Sequence, residues 1–329
     1  MSMSDQVISD VLQSMHKVDV PPHVGSDDLV EHLLPLGKSG NLTLVLGAGV
    51  SVPYGLPTWG KLIEALIGRF YPERTIIFDE LLDKYFLHVS PLVLARYVKL
   101  HARYEDSVAE YVQRLLYLNL KTPSGATALG AIADLAIHCS LNGIRLSVIT
   151  FNYDSLLEEE IARQDKHVSF DVVYDDRTFS EAHSLIRIYH VHGFLPRGEF
   201  SSNRSSGIIL SEDEFHQIYS IPNHWSNVIQ NSCYAQTGCV FVGLSFSDPN
   251  LRRLVDYMML HRVFGRHFIL SRPYSEGDAV FPNLTTTLSA EEAREINRFY
   301  LSLFRSMKIS VVTTESYSEI PKIINRLRF

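Results

Sequence analysis

Cysteine, long hydrophobic runs and net positive charge are all scarce in this sequence. Only three cysteines occur among 329 residues, at positions 139, 233 and 239, and no two of them form a CxxC pair. An odd number of cysteines without paired spacing disfavours both a disulfide framework and a zinc ribbon. We therefore expect three buried, reduced thiols, as in a cytoplasmic protein.

Membrane and nucleic-acid classes are also disfavoured. No apolar run reaches the ~18 residues that a membrane span needs, and the N-terminus lacks the basic and apolar regions of a signal peptide. The formal net charge of −7 argues against a nucleic-acid-binding surface. With 46% hydrophobic and 20% charged residues, the composition is that of an ordinary globular protein. We expect a cytoplasmic protein with neither a membrane nor a nucleic-acid partner.

The most informative stretch covers residues 41–60, NLTLVLGAGVSVPYGLPTWG. Its apolar run at 42–46 predicts a buried parallel strand, and the glycine-rich segment 47–49 follows at once. Glycines in that place let backbone N–H groups approach a phosphate, because no Cβ blocks the way. The strict GxGxxG fingerprint is absent, since position 52 is Val, and no acidic residue closes a following strand about 20 residues on. A dinucleotide bound here would not be held in the ordinary dehydrogenase manner.

The remaining chain alternates between strand and helix patterns. Strands are predicted at 145–150, 185–191, 208–210, 239–243, 267–270 and 309–313. Helices are predicted at 61–70, 76–85, 91–101, 107–118, 127–139, 155–161, 249–261 and 290–305, and two further helices are predicted to begin at residues 211 and 318. This alternation predicts an α/β fold, a Rossmann-like and mostly parallel sheet with helices on both faces.

Three segments make up the predicted domain organisation. Residues 1–40 form an N-terminal helical appendage, and residues 41–329 form the main domain with a helical insertion at about 74–140. The appendage could pack onto the domain or contact a second subunit, and the sequence favours neither.

Polar side chains follow several predicted strands at the edge where ligands bind in open α/β sheets. Asn152 and Asp154 follow the strand at 145–150, and His192 follows the strand at 185–191. Asp154 could instead cap the next helix, and His190 is a weaker candidate than His192. A third polar strand end follows 239–243, where Asp248-Pro249 predicts a helix start.

Five motifs in this order resemble the sirtuin-like superfamily, and more closely its bacterial branch of NAD-degrading anti-phage proteins. They are GAGVS at 47–51, GLPTW at 55–59, TFNYD at 150–154, HVHG at 190–193 and VGLSFSD at 242–248. The resemblance covers roughly residues 40–260 and implies a sirtuin-type fold with NAD as substrate. The four-cysteine zinc module of deacetylase sirtuins has no ligand set here, so no zinc is expected.

The resemblance also implies residue roles. His192 would be the general base, Asn152 would lie by the nicotinamide ribose, and Asp154 would bond the carboxamide. The segment 47–51 would hold the pyrophosphate and the adjoining ribose, and the adenosine side would be lined after 239–243. The implied catalytic residues are Asn152 and His192, and the implied NAD-binding residues are Gly47, Ala48, Gly49, Ser51, Thr58, Trp59, Asp154, Gly243 and Ser245. Thr58-Trp59-Gly60 stands where the deacetylases have a Phe-Arg pair. Together with the missing zinc module, this puts the peptide-binding groove beside that module, and hence protein deacylation, in doubt.

The function that this resemblance implies is NAD glycohydrolysis by the toxic effector of an anti-phage, abortive-infection system. Two alternatives stay open, namely transfer of ADP-ribose or an acyl group to a macromolecule, and a non-catalytic NAD or nucleotide sensor. Unregulated NAD hydrolysis would harm the host. We therefore expect a homo-oligomer, a complex with a separate sensor such as an ATPase or nucleotide-processing subunit, or both.

Overall fold

Seven parallel strands form one sheet at the centre of the protein. The computed structural model describes residues 24–70, 91–101, 108–198, 207–221, 223–246, 248–260, 267–278 and 287–328. The strands are β1 (Leu42–Leu46), β2 (Leu146–Thr150), β3 (Phe170–Val173), β4 (Ile186–His190), β5 (Gly238–Val242), β6 (His267–Ser271) and β7 (Ile309–Thr313). Their order is β3-β4-β2-β1-β5-β6-β7, and every neighbouring pair is parallel.

Helices connect these strands. They are α1 (Ser26–Lys38), α2 (Trp59–Phe70), α3 (Pro91–His101), α4 (Val108–Tyr117), α5 (Ala128–Leu141), α6 (Leu156–Gln164), α7 (Asp176–Glu181), α8 (Glu212–Ser220), α9 (Trp225–Gln236), α10 (Pro249–Leu260), α11 (Ala290–Ser306) and α12 (Ile320–Asn325). The predicted helix at 76–85 and the first 23 residues of the appendage lie outside the described residues.

The two faces of the sheet bury separate hydrophobic clusters, because successive side chains of a strand point to opposite faces. In β1, Leu44 packs in a cluster with α1, α5, α6 and α12. Its neighbour Val45 packs in a second cluster with α9, α10 and α11. Both faces are therefore covered by helices, and the predicted Rossmann-like α/β fold is confirmed.

A third cluster forms a helical layer from α2, α3 and α4. Tyr153 and Leu195, which follow β2 and β4, are buried in this cluster, so the layer adjoins the carboxyl edge of the sheet. Helix α5 also lies between β1 and β2 but packs on the sheet. Helix α1 buries Leu29 and Leu33 against the sheet as well. The division into segments 1–40 and 41–329, with the insertion at 74–140, stays a prediction.

One predicted strand is wrong. Residues 208–210 are not a strand; the Ile209 N–H donates to the His192 carbonyl, while Ile208 and Leu210 are buried in the helical layer. A three-residue apolar run does not distinguish a strand from a buried extended loop. Strand β3 and helices α7 and α9 have no counterpart among the predicted elements.

The three cysteines lie in the protein interior. Cys139, Cys233 and Cys239 are buried free thiols. Burial raises the pKa of Cys139 and of Cys233 to about 11.

None of the helices in the described ranges is both long and apolar enough to span a bilayer.

Two loops meet closely at the centre of the carboxyl edge. The N–H groups of Gly47 and Gly49, after β1, donate to the carbonyls of Val242 and Gly243 at the end of β5, both at 3.0 Å. A Cβ on Gly47 would lie 2.6 Å from the Gly243 oxygen, and a Cβ on Gly49 would lie 2.8 Å from the Gly243 Cα. Gly243 itself has φ +68°, and its Cβ would lie 2.7 Å from the Val50 nitrogen. These three glycines, which we call the glycine contact, allow the two backbones to touch.

We predict that Gly243→Ala lowers the free energy of unfolding by about 3 kcal/mol, through a left-handed alanine and a clash with the Val50 backbone. The matched control is Gly143→Ala. Gly143 has φ +69° but no atom within 4 Å of the added Cβ, so only about 1–2 kcal/mol should be lost. Urea unfolding measures both losses, and equal losses would contradict the importance of the glycine contact.

Candidate functional site

Four adjacent strands end at the same level of the sheet. The register pairs Leu46 of β1 with Val242 of β5 and with Thr150 of β2, and it pairs Thr150 with His190 of β4. The residues that follow these four strand ends therefore gather at one edge. The strand order also places β1 and β5 at the point where the chain changes direction across the sheet, which is the usual ligand crevice of open α/β sheets.

Three of the predicted site residues form one hydrogen-bonded cluster. The Ser51 hydroxyl donates to Asp154 Oδ2 at 2.9 Å. The Asn152 amide Nδ2 donates to the Gly47 carbonyl at 3.1 Å and to Ser51 Oγ at 3.2 Å. We call Ser51, Asn152 and Asp154 the amide cluster. It ties the loop after β1 to the loop after β2.

The Asn152 side chain keeps an acceptor for a ligand. Both of its hydrogen bonds use Nδ2, and none of the hydrogen bonds found among the described residues uses Oδ1. With Nδ2 fixed by two partners, the direction of Oδ1 is also fixed. Asn152 can therefore present an uncharged acceptor to a water molecule or a hydroxyl group.

The glycine loop offers few free amides in this structure. Within residues 47–51, the N–H groups of Gly47, Gly49, Val50 and Ser51 all donate to backbone carbonyls. Among the backbone bonds of the described residues, none uses the N–H of Ala48. The binding of a pyrophosphate by this loop stays a prediction. The backbone N–H that the loop could offer to such a ligand is that of Ala48.

Asp154 is buried and is committed to protein donors. Its Oδ1 accepts from the Leu156 N–H in the first turn of α6 at 3.1 Å, and its Oδ2 accepts from Ser51. Burial raises the pKa of Asp154 to about 6, although these two hydrogen bonds oppose the shift. Asp154 thus accepts from the first N–H of α6, although the N-cap of that helix is Ser155, and a bond to the nicotinamide carboxamide stays a prediction.

His190 lies in a closed, buried arrangement. Its Nδ1 is 3.0 Å from the Asn152 carbonyl oxygen, and its Nε2 is 2.7 Å from Glu158 Oε1. A carbonyl oxygen only accepts, so Nδ1 carries a proton. A further proton must lie between Nε2 and Glu158. Both ring nitrogens of His190 are therefore occupied, and this side chain supports the Asn152 backbone.

His192 lies between aromatic rings, with one buried nitrogen. The Phe151 and Phe215 rings contact its ring edge-on, with centroids 4.8 Å and 5.2 Å away. Its Nε2 lies 3.0 Å from Asp248 Oδ2, but the two atoms are not aligned as a hydrogen bond. Phe151, which contacts His192, adjoins Asn152 of the amide cluster in the chain.

The structure disperses the other predicted residues along the same edge. Thr58 and Trp59 lie at the start of α2. Gly243 belongs to the glycine contact, and Ser245 is exposed in the loop after β5. Within the described part of the chain, no three His, Cys, Asp or Glu residues are grouped to hold a metal ion.

Asp248 is the residue at this edge that sequence reasoning left without a site role. The Asp-Pro pair correctly predicts a helix start, since Asp248 Oδ1 accepts from the N–H groups of Asn250 and Leu251. The motif VGLSFSD includes Asp248, but nothing in the sequence shows that it meets His192, which lies more than 50 positions earlier. Only the fold brings the two side chains together.

We predict that Asp154 gives the protein a distinctive pH dependence. Its folded-state pKa of about 6 exceeds the ordinary value of 3.8. The folded chain therefore keeps a proton that the unfolded chain has lost, and stability falls as the pH rises from about 4 to about 6. Relative to wild type, Asp154→Asn should gain roughly 2 kcal/mol of unfolding free energy between pH 4 and pH 6.5. Urea unfolding at several pH values measures this gain.

Asp171→Asn is the matched control. Burial alone would raise the pKa of Asp171, but hydrogen bonds from Ser184 outweigh it, and the pKa is lowered. Wild type should then gain stability over Asp171→Asn as the pH rises, which is the opposite direction. A flat or equal pH dependence for the two variants would contradict the assignment.

Two comparisons with known sequences bear on this site. Residues 146–286 match the family model of the SIR2-like domain, and the match begins at β2. The NAD(+) hydrolase ThsA of Enterococcus faecium is 21% identical over 194 residues, which cover 54% of this chain and 37% of that protein. The matched part of this chain thus spans little more than a third of that relative's length.

Solved structures give similar matches at low identity. A complex of a Sir2 homologue with NAD is 14% identical, with 96% of this chain and 98% of that chain covered and a TM-score of 0.45. A structure solved to study the mechanism and regulation of Sir2 enzymes is also 14% identical, with 92% and 97% covered and a TM-score of 0.41. The family-model match over residues 146–286 confirms the predicted resemblance to the sirtuin-like superfamily.

Proposed function

We propose that this protein is an NAD glycohydrolase. Water would replace nicotinamide at the ribose carbon, so that a C–N bond breaks, a C–O bond forms, and nicotinamide, ADP-ribose and one proton are released. The observation that carries the proposal is that His192 and the amide cluster follow the ends of β4, β2 and β1 at the same edge of the sheet. The partial match to an NAD(+) hydrolase supports the same bond as the target.

This reaction needs a site with little water. Its transition state resembles an oxocarbenium ion, and it is stabilised by fixed polar groups and by exclusion of competing water. Phe151 and Phe215 enclose the His192 ring. The side chain of His192 is only 11% exposed, so bulk water reaches a small part of it.

Asn152 would orient the nucleophile. An uncharged Oδ1 acceptor can hold a water molecule or a ribose hydroxyl without a strong charge beside the developing cation. Its two Nδ2 hydrogen bonds fix the amide before substrate binds. Such preorganisation stabilises the transition state without rearrangement during the reaction.

His192 would accept the proton, either from water or through a ribose hydroxyl. Imidazole is suited to this task because its ordinary pKa of about 6.5 lies near neutral pH. Asp154 would contact the nicotinamide carboxamide. The proposed NAD-binding residues also include Gly47, Ala48, Gly49, Ser51, Thr58 and Trp59, with Gly243 and Ser245 toward the adenosine.

The proposed biological role is that of a cytoplasmic toxic effector in anti-phage defence. NAD loss stops the growth of an infected cell, and the same loss in a healthy cell must be prevented. We therefore propose control by homo-oligomerisation, by a separate sensor or ATPase-like subunit, or by both. Such control is expected on physiological grounds and depends on the proposed activity.

We predict that His192→Ala and Asn152→Ala each lower nicotinamide release from NAD by about 100-fold or more, because each removes a group that acts on the nucleophile. Chromatography of nicotinamide and ADP-ribose measures this effect. His167→Ala is the control, since His167 is exposed and remote from the strand ends. Full turnover by both site variants would overturn the assignment.

The same samples distinguish the alternative functions. Label from adenine-labelled NAD that appears on protein would indicate ADP-ribosyl transfer. Bound NAD without nicotinamide release would indicate a sensor.

We predict that the purified chain is oligomeric or that its NAD turnover rises when extract from phage-infected cells is added. Sedimentation gives the mass, and nicotinamide release gives the activity, with uninfected extract as the control. A monomer that is fully active alone would contradict the proposed control.

A further inference from the structure

Asp248 faces the one buried nitrogen of His192. The distance between Asp248 Oδ2 and His192 Nε2 is 3.0 Å, and the two side chains are 12% and 11% exposed. Both atoms are fully buried, and neither has a hydrogen-bond partner among the described residues. Two such groups at this distance need only a small rotation of the ring to form a hydrogen bond, and burial without that bond is unfavourable.

The two oxygens of Asp248 have separate environments. Oδ1 accepts from the Asn250 N–H at 2.7 Å and from the Leu251 N–H at 3.2 Å, which fixes the carboxylate at the N-terminus of α10. The N-terminus of a helix favours a negative charge. Helix capping uses Oδ1 alone, so it does not explain why Oδ2 is directed at His192.

Nearby cations are engaged elsewhere. The Arg252 guanidinium donates to the Phe246 carbonyl, and the Arg253 guanidinium donates to Asn250 Oδ1. Within the described residues, His192 is the basic group found within ion-pair distance of Asp248. The carboxylate is thus directed to the imidazole.

We propose that Asp248 is a positioning residue that holds a proton on Nε2 of His192 and so leaves Nδ1 unprotonated as the base. The Nε2 atom is buried, so the exposed part of the ring lies elsewhere. This inference rests on the proposed glycohydrolase function, because that function makes His192 the base. It assigns a specific task to a residue that follows β5, three strands away from β4 in the sheet.

The substitution Asp248→Asn separates the two tasks of this residue. Asparagine caps helices as well as aspartate does, so its Oδ1 should keep the bonds to Asn250 and Leu251. Its NH₂ group then takes the place of Oδ2 and can only donate to Nε2. The proton of the ring must move to Nδ1, and an aspartate-to-asparagine change beside a catalytic histidine has this effect in serine proteases.

Two measurements test the proposal on the full chain. Nitrogen-15 NMR of the histidine rings, with the His192 signals identified by their loss in His192→Gln, shows which nitrogen carries the proton. We expect a proton on Nε2 in wild type and its loss from Nε2 in Asp248→Asn. We also expect kcat for nicotinamide release to fall by about 100-fold or more, while KM for NAD changes little.

Asp175→Asn is the matched capping control. Asp175 caps α7 by accepting from the Thr178 N–H, and the change should alter neither the His192 signals nor kcat. An unprotonated Nε2 in wild type, unchanged signals in Asp248→Asn, or full kcat in that variant would overturn the proposal. The expected NMR change in a chain that releases no nicotinamide would support the pairing and overturn the proposed function alone.

Discussion

Backbone contact between two loops holds the whole candidate site in place. Gly47 and Gly49 donate to the end of β5, and the left-handed Gly243 leaves room for that approach. On one side, this contact fixes the Gly47 carbonyl and, through it, the Asn152 amide. On the other side, it fixes the start of the loop that leads to Asp248. Each residue of the glycine contact must therefore be a glycine because the opposite backbone lies too close for a Cβ, and this holds for any ligand that the edge binds.

The loop after β5 also depends on an unusual backbone conformation. Phe246 has φ +55°, a left-handed conformation that is uncommon for a bulky residue. Its ring is buried between Phe241 and Phe304, with both centroids 5.0 Å away. This packing stabilises the strained residue, which lies two positions before Asp248, the residue that caps α10 and faces His192. Burial of one aromatic ring therefore helps to position a carboxylate two residues later.

Much of this arrangement could be predicted from local sequence. Apolar runs marked six of the seven strands, and polar residues after them marked the edge, because parallel strands end together. The short, partly exposed β3 and the mixed polar pattern of α9 gave no clear period. Contacts between residues far apart in the chain could not be predicted from local sequence. No local pattern shows that the amides of Gly47 and Gly49 are already bonded, or that Asp248 reaches His192.

The two histidines at the end of β4 show that the surroundings of a side chain decide its chemistry. Residues two apart on a strand share a face, but β4 ends at His190, and Gly193 with φ +103° turns the chain. His190 then meets Glu158 and a carbonyl, which occupy both ring nitrogens. His192 faces one carboxylate, 3.0 Å from its Nε2, and its Nδ1 accepts from or donates to no other described residue. A base needs an unoccupied nitrogen, so the same side chain supports the backbone at one position and is suited to proton transfer at the other.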